Sequence, residues 1–176
     1  MFVELSTGIT LSPGTFTAVI APGRSVIAAL EGNRDLRRFF SLFVCSPASH
    51  LLPEICRTVP HFELCVSTSA AEIMARVQNA RCSILIVEHD PALFDGAEQV
   101  SAQLSAVLRD LGRGMLVMLY AHMKDPSFIA LARNAHRFIE FIPPDEHPVR
   151  PAPYPFRTHC GGIPFPRTQK TLPEVS

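Results

Sequence analysis

The chain has no tryptophan and only two tyrosines among its 176 residues. Charge is scarce as well: 18% of residues are Asp, Glu, Lys or Arg, and 16 bases balance 16 acids. A disordered chain needs the opposite profile, rich in charge and poor in apolar residues, whereas here 47% of residues are hydrophobic and mean hydropathy is +0.20. With zero net charge there is no basic footprint for a polyanion, so nucleic acid is not an expected partner. No apolar run approaches the roughly 18 residues that span a bilayer, and no membrane partner is expected. The opening Met1-Phe2-Val3-Glu4 lacks the basic and apolar regions of a secretory signal. The five cysteines (Cys45, Cys56, Cys65, Cys82, Cys160) contain no Cys-x-x-Cys pair, and their odd number and irregular spacing fit neither a disulfide framework nor a zinc site. They are expected to pack as small hydrophobes in a reducing cytoplasm.

Proline is unevenly placed. Nine of the 16 fall between Pro143 and Pro173, beside Gly161-Gly162. Proline at that density excludes helix and central strand, because it lacks an N–H and fixes φ. The chain therefore reads as a body over 1–142 and an extended or disordered tail over 143–176. In that tail Tyr154, Phe156, Ile163 and Phe165 stand among prolines, a spacing suited to a linker or to docking in an apolar groove.

Within the body, short apolar runs alternate with amphipathic stretches. Strands are expected over 15–21, 39–45, 62–66, 82–88, 114–121 and 137–142. Helices are expected over 25–36, from Ser46-Pro47 to about Arg57, from Ser69 through Val77, over 97–111, and from Asp125-Pro126 to Ala135. Ser46-Pro47 and Asp125-Pro126 each set a capping side chain before a proline suited to the first helical position. Ser69-Ala70-Ala71-Glu72 fits a capping box. Strands alternating with helices imply βαβ units, and runs such as 84–87 and 115–119 imply strands covered on both faces. The expected fold is a three-layer α/β domain with a mainly parallel sheet.

In such a sheet ligands bind beyond the carboxyl ends of the strands. That rule selects Gly23, Arg24 and Ser25 after the first strand, Ser46 after the second, Glu88-His89-Asp90 after the long apolar strand, and His122 after the next. Strand, glycine turn, base, hydroxyl and helix is the layout of a phosphate loop. The span is too short to wrap a triphosphate, so these three residues fit a single anion or a plain helix entry. Glu88 at a strand end is a place for a magnesium-bound water or, paired with His122, for acid–base work, but no nucleophile or cofactor motif accompanies it. No catalytic residue and no metal ligand is assigned, and no cofactor is expected. The exposed-looking cluster Arg34, Arg37 and Arg38 reads as a solvated helix end.

The order of these segments resembles RecA, RadA and KaiC-type ATPase domains. "GITLSPGTFTAVIAPGRSVIAAL" is similar to their turn, first strand and phosphate-loop helix. "SILIVEHDPALF" is similar to their Walker B strand, with Glu88 where aspartate usually stands. "LSAVLRDLGRGMLVMLYAH" and "DPSFIALARNAHRFIEF" resemble the elements that follow. The phosphate loop is cut to Gly23-Arg24-Ser25, arginine replaces its lysine, and Ser46-Pro47 replaces the acid expected to activate water. The resemblance thus implies a RecA-like domain without its phosphate loop, one that has lost ATP hydrolysis and acts as an interaction or regulatory subunit. The implied partner is a protein: a homo-oligomer or a RecA-like paralogue. ATP with magnesium enters only under an alternative, a nucleotide or anion sensor using Gly23, Arg24, Ser25 and Glu88. A second resemblance is to response-regulator receivers, carried by "FELCVSTSAAEIMARVQNARCSILIVEHDP", with Glu88 in place of the phosphorylated aspartate. That likeness leaves 1–38 unexplained and lacks the paired acids and the lysine of receivers.

Overall fold

The structure, a computed structural model, describes residues 3–6, 9–59 and 62–141. The tail over 143–176, with His147, His159 and Cys160, lies outside the described residues, as does His61. A short antiparallel hairpin of β1 (Val3–Ser6) and β2 (Ile9–Leu11), not expected from the sequence pattern, comes first. Six strands then build one sheet: β3 (Thr15–Ile20), β4 (Ser41–Cys45), β5 (Phe62–Val66), β6 (Ile84–Glu88), β7 (Leu116–Ala121) and β8 (Arg137–Glu140). Their order is β5-β4-β6-β7-β3-β8, and every neighbouring pair is parallel. Helices α1 (Gly23–Gly32) and α2 (Leu52–Thr58) follow β3 and β4; α3 (Ala70–Gln78), α4 (Pro91–Phe94), α5 (Glu98–Gly112) and α6 (Pro126–Ala132) follow later strands.

The apolar runs explain the layering. β4, β6 and β7 have no exposed residue, because alternate side chains enter two different cores. Leu42, Val44, Leu85, Val87, Val117 and Leu119 meet α3, α5 and α6 on one face. Phe43, Ile84, Ile86, Met118 and Tyr120 meet α1, α2 and the hairpin on the other. This is the expected three-layer α/β fold with a parallel sheet. Among the described residues no helix is long and apolar enough to cross a membrane.

Two of the three helix openings are as expected. Ser69 Oγ accepts the Glu72 amide at 3.2 Å, while the Glu72 carboxylate takes the Thr68 amide at 2.9 Å. Asp125 Oδ1 accepts the Phe128 amide at 2.9 Å, with Pro126 in the first turn. The opening at Ser46-Pro47 is a correction. Ser46 Oγ accepts the Ala48 amide at 3.1 Å and closes a local turn, so the helix starts only at Leu52. The cysteine expectation also needs correcting: Cys45 is buried, but Cys56 on α2 is exposed.

Gly112, the last residue of α5, lies close against the start of β3. A Cβ there would stand 2.8 Å from the Phe16 amide nitrogen and 3.1 Å from the Thr15 carbonyl carbon, both backbone atoms that have little freedom to move. Gly112→Ala is therefore expected to destabilise the fold by about 1–3 kcal/mol, as overpacking does, against a smaller gain in helix propensity. Urea denaturation of the two chains measures it; equal midpoints would contradict the close approach.

Candidate functional site

Chain direction determines where this sheet can open. β4 hands the chain to α2 on one face, and its neighbour β6 hands it to α4 on the other. β3 and β7 form a second such pair, leading to α1 and α6. Each pair leaves a potential crevice beyond the carboxyl ends of its strands.

The β4/β6 crevice is open. A cleft of about 160 Å³ lies there, and Ser46, His50, Glu88, Asp90, His122 and Asp125 are among its lining residues. Glu88 and His122 therefore share one cleft, as the strand-end rule predicts. They do not form the hydrogen-bonded pair considered from sequence. The Glu88 carboxylate accepts the Ser49 hydroxyl and, at 3.2 Å, the His50 amide. The exposed His122 ring instead faces His50, centroid to centroid at 6.0 Å. Ser49 in turn accepts the Leu52 amide at 2.9 Å, so one serine ties the sheet end to the start of α2. Burial pushes the Glu88 carboxyl above its ordinary value, and the Ser49 hydroxyl and His50 amide pull it back. Burial also pushes the Cys45 thiol beneath this loop up to about 11, which leaves it an inert thiol at neutral pH.

His89 turns the other way, into the core between Phe94 and Phe128, with ring centroids at 5.3 and 5.6 Å. Its Nε2 lies 2.9 Å from Asp125 Oδ2 and 3.1 Å from Ser127 Oγ. Serine, histidine and aspartate thus meet, but not as a nucleophile relay. In a relay the two ring nitrogens serve the two partners separately. Here both partners share Nε2, the Ser127 hydroxyl donates to Asp125 Oδ1, and Nδ1 has no partner among the described residues. The trio locks the first turn of α6 to the end of β6. Burial lowers the His89 pKa, and Asp125 opposes that. Burial alone would raise the Asp125 carboxyl, but the Ser127 hydroxyl and Phe128 amide outweigh it and hold it below its ordinary value. Sequence reasoning missed Ser49, His50 and Ser127; the cap at Asp125 was the available signal for the last.

The β3/β7 crevice is closed by the protein itself. Tyr120 is fully buried and donates to the Ala21 carbonyl at 3.1 Å. Burial raises its phenol well above the ordinary value. A Cβ on Gly23 would stand 3.0 Å from Leu51 Cδ2 and 3.6 Å from the Tyr120 hydroxyl. The Ser25 amide donates to the Pro22 carbonyl at 2.9 Å, and the Val26 amide points to the same oxygen at 3.4 Å. Gly23 and Ser25 are half-buried, Arg24 is exposed, and none of the three lines the cleft that holds Glu88 and His122. Among the described residues no group of His, Cys, Asp and Glu has the geometry to hold a metal ion. No family model matches the chain, and no curated protein matches it either.

Two outcomes follow from this geometry. Ser49→Ala leaves a buried carboxylate short of one donor and is expected to cost about 1–3 kcal/mol in chemical denaturation. The pH profile carries two opposed slopes. Glu88 binds its proton more tightly folded than unfolded, so its contribution falls as pH rises from about the ordinary 4.5 through its raised folded value. His89 binds its proton less tightly when folded, so its contribution is lost as pH falls from the ordinary 6.5 through its lowered value. Melting curves across that range should show Glu88→Gln removing the first slope and keeping the second. A Glu88→Gln profile identical to that of the parent chain would show that the carboxylate is not buried as described.

Proposed function

We propose that the chain is a non-catalytic interaction or regulatory module on a RecA-like α/β frame, with its nucleotide seat given over to packing. The observation that carries this reading is the first turn of α1. Its Ser25 amide is used by Pro22, and Leu51 and Tyr120 pack against Gly23. A phosphate held at a helix start needs free amides pointing into open space. The cleft beside Glu88 supports the same reading. At about 160 Å³ it falls below the roughly 300–1,000 Å³ typical of cofactor and drug-sized pockets. Glu88, the acid in the Walker B-like position, already accepts two hydrogen bonds from its own chain. A module of this kind works by contact with a protein partner, another copy or a paralogue.

A second reading, a sensor of small anions, draws on His50 and His122 facing each other at the cleft. Two imidazoles at that spacing can each turn a ring N–H toward one small anion held between them. Thermal melting of the full chain separates the readings. Millimolar ATP with magnesium is expected to leave the midpoint unchanged, and phosphate release to stay at background. A ligand at 100 times its Kd would add about 2.7 kcal/mol, a shift well within detection. A clear rise with ATP, or steady ATP consumption, would overturn the module reading. A rise with inorganic phosphate alone, lost in His122→Ala, would favour the sensor.

A further inference from the structure

The two edges of the sheet differ in how they meet solvent. At one edge β8 carries Arg137 and Glu140 in four residues. Lys124 pairs with Glu140 at 3.3 Å and lies over the Phe138 ring at 5.7 Å. Charge of this kind blunts an edge strand against further pairing. At the other edge β5 reads Phe-Glu-Leu-Cys-Val and pairs only with β4 among the described residues. It carries one charge, no proline and no lysine. Phe62, Leu64 and Val66 share one face of the strand. Phe62 is buried there, but Leu64 is 38% and Val66 43% exposed.

We propose that β5 is a self-pairing edge: two copies of this chain join antiparallel across a two-fold axis perpendicular to the sheet, centred on Leu64. This deepens the module reading above by naming its partner as a second copy. The register follows from the residues. A two-fold of that kind keeps each side chain on its own face, so only every second register is allowed. Centring on Glu63 would oppose two carboxylates, which destabilises a strand pair. Centring on Cys65 would pair only Leu64 to Val66. Centring on Leu64 pairs all five residues of the strand. Phe62 then faces Val66, Glu63 faces the neutral Cys65, and Leu64 faces its own copy, so the exposed apolar side chains cover one another. Zero net charge means the two chains approach without long-range repulsion.

The test uses the full chain. Gel filtration with light scattering across the micromolar range is expected to report the mass of two 19.4 kDa chains. Leu64→Lys sets two ammonium groups on the axis and should weaken the dimer by about tenfold or more, with circular dichroism unchanged because Leu64 is a surface residue. On a Cys56→Ser, Cys160→Ser background, Leu64→Cys should give a disulfide-linked dimer under mild oxidation, whereas that background alone, whose Cys65 faces Glu63, should not. A parent chain that runs at the mass of one copy throughout would overturn the proposal. So would a dimer that Leu64→Lys leaves intact or that Leu64→Cys fails to cross-link. A monomer unresponsive to ATP sinks the edge pairing and leaves the module reading standing. A dimer that consumes ATP does the reverse.

Discussion

A carboxylate at the end of a fully buried strand persists only if donors reach it, and Glu88 sets that condition here. β6 has no exposed residue, so its last side chain cannot turn to water. The donors come from the connection after β4. Ser49 and the His50 amide close on the carboxylate, and Ser49 also accepts the amide of Leu52, the first residue of α2. One hydroxyl therefore fixes the loop over 46–51, the start of α2 and the wall of the cleft. It also places Leu51 over the first turn of α1, where it meets Gly23. Much of the ligand end of the sheet is organised by how this one charge is accommodated.

The two crevices show two outcomes of the same topology. Both arise because neighbouring strands send the chain to opposite faces. Between β7 and β3 a tyrosine crosses the gap and bonds the Ala21 carbonyl. Only Ala21 and Pro22 separate β3 from α1, so there is no slack for amides to curl around a ligand. Between β4 and β6 a cleft remains, with Ser46, Ala48 and Ala121 among the residues that line it. The distinction lies in side-chain volume at the strand ends. A large phenol fills one gap, and serine and alanine cannot fill the other.

The α/β class was legible because continuous apolar runs such as Ile84 to Val87 leave a parallel strand few alternatives. The caps at Ser69 and Asp125 were legible because each hydroxyl or carboxylate had a helix amide three residues on. Ser46 carried the same local signal and did something else. Its oxygen reached the amide two residues on, and Ser49 stands where Ser69 has Glu72 to bond back toward the helix start. The hairpin of β1 and β2 escaped notice because seven described residues carry too little pattern to separate strand from loop. Glu88 and His122 could be placed at one end of the sheet from strand boundaries alone. Their partners could not, because Ser49 and His50 are set by a loop whose path depends on Glu88 itself.

A parallel sheet keeps hydrogen-bonding capacity in the backbone groups along its edges. Chemistry at a strand end needs open space and free groups, and the Glu88 carboxylate is already engaged by Ser49 and His50. Recognition along a strand needs neither, since the amides and carbonyls of an edge already point outward in register. β8 is defended by charge, with Lys124 and Glu140 across its end, and β5 carries only Glu63. Native sheets commonly guard their edges, and among the described residues β5 is unpaired on one side while β8 carries the charges, so contact is favoured at β5. The same five residues that close poorly over the core at Leu64 and Val66 are matched to themselves when reversed, and a surface matched to itself forms closed pairs, not open chains.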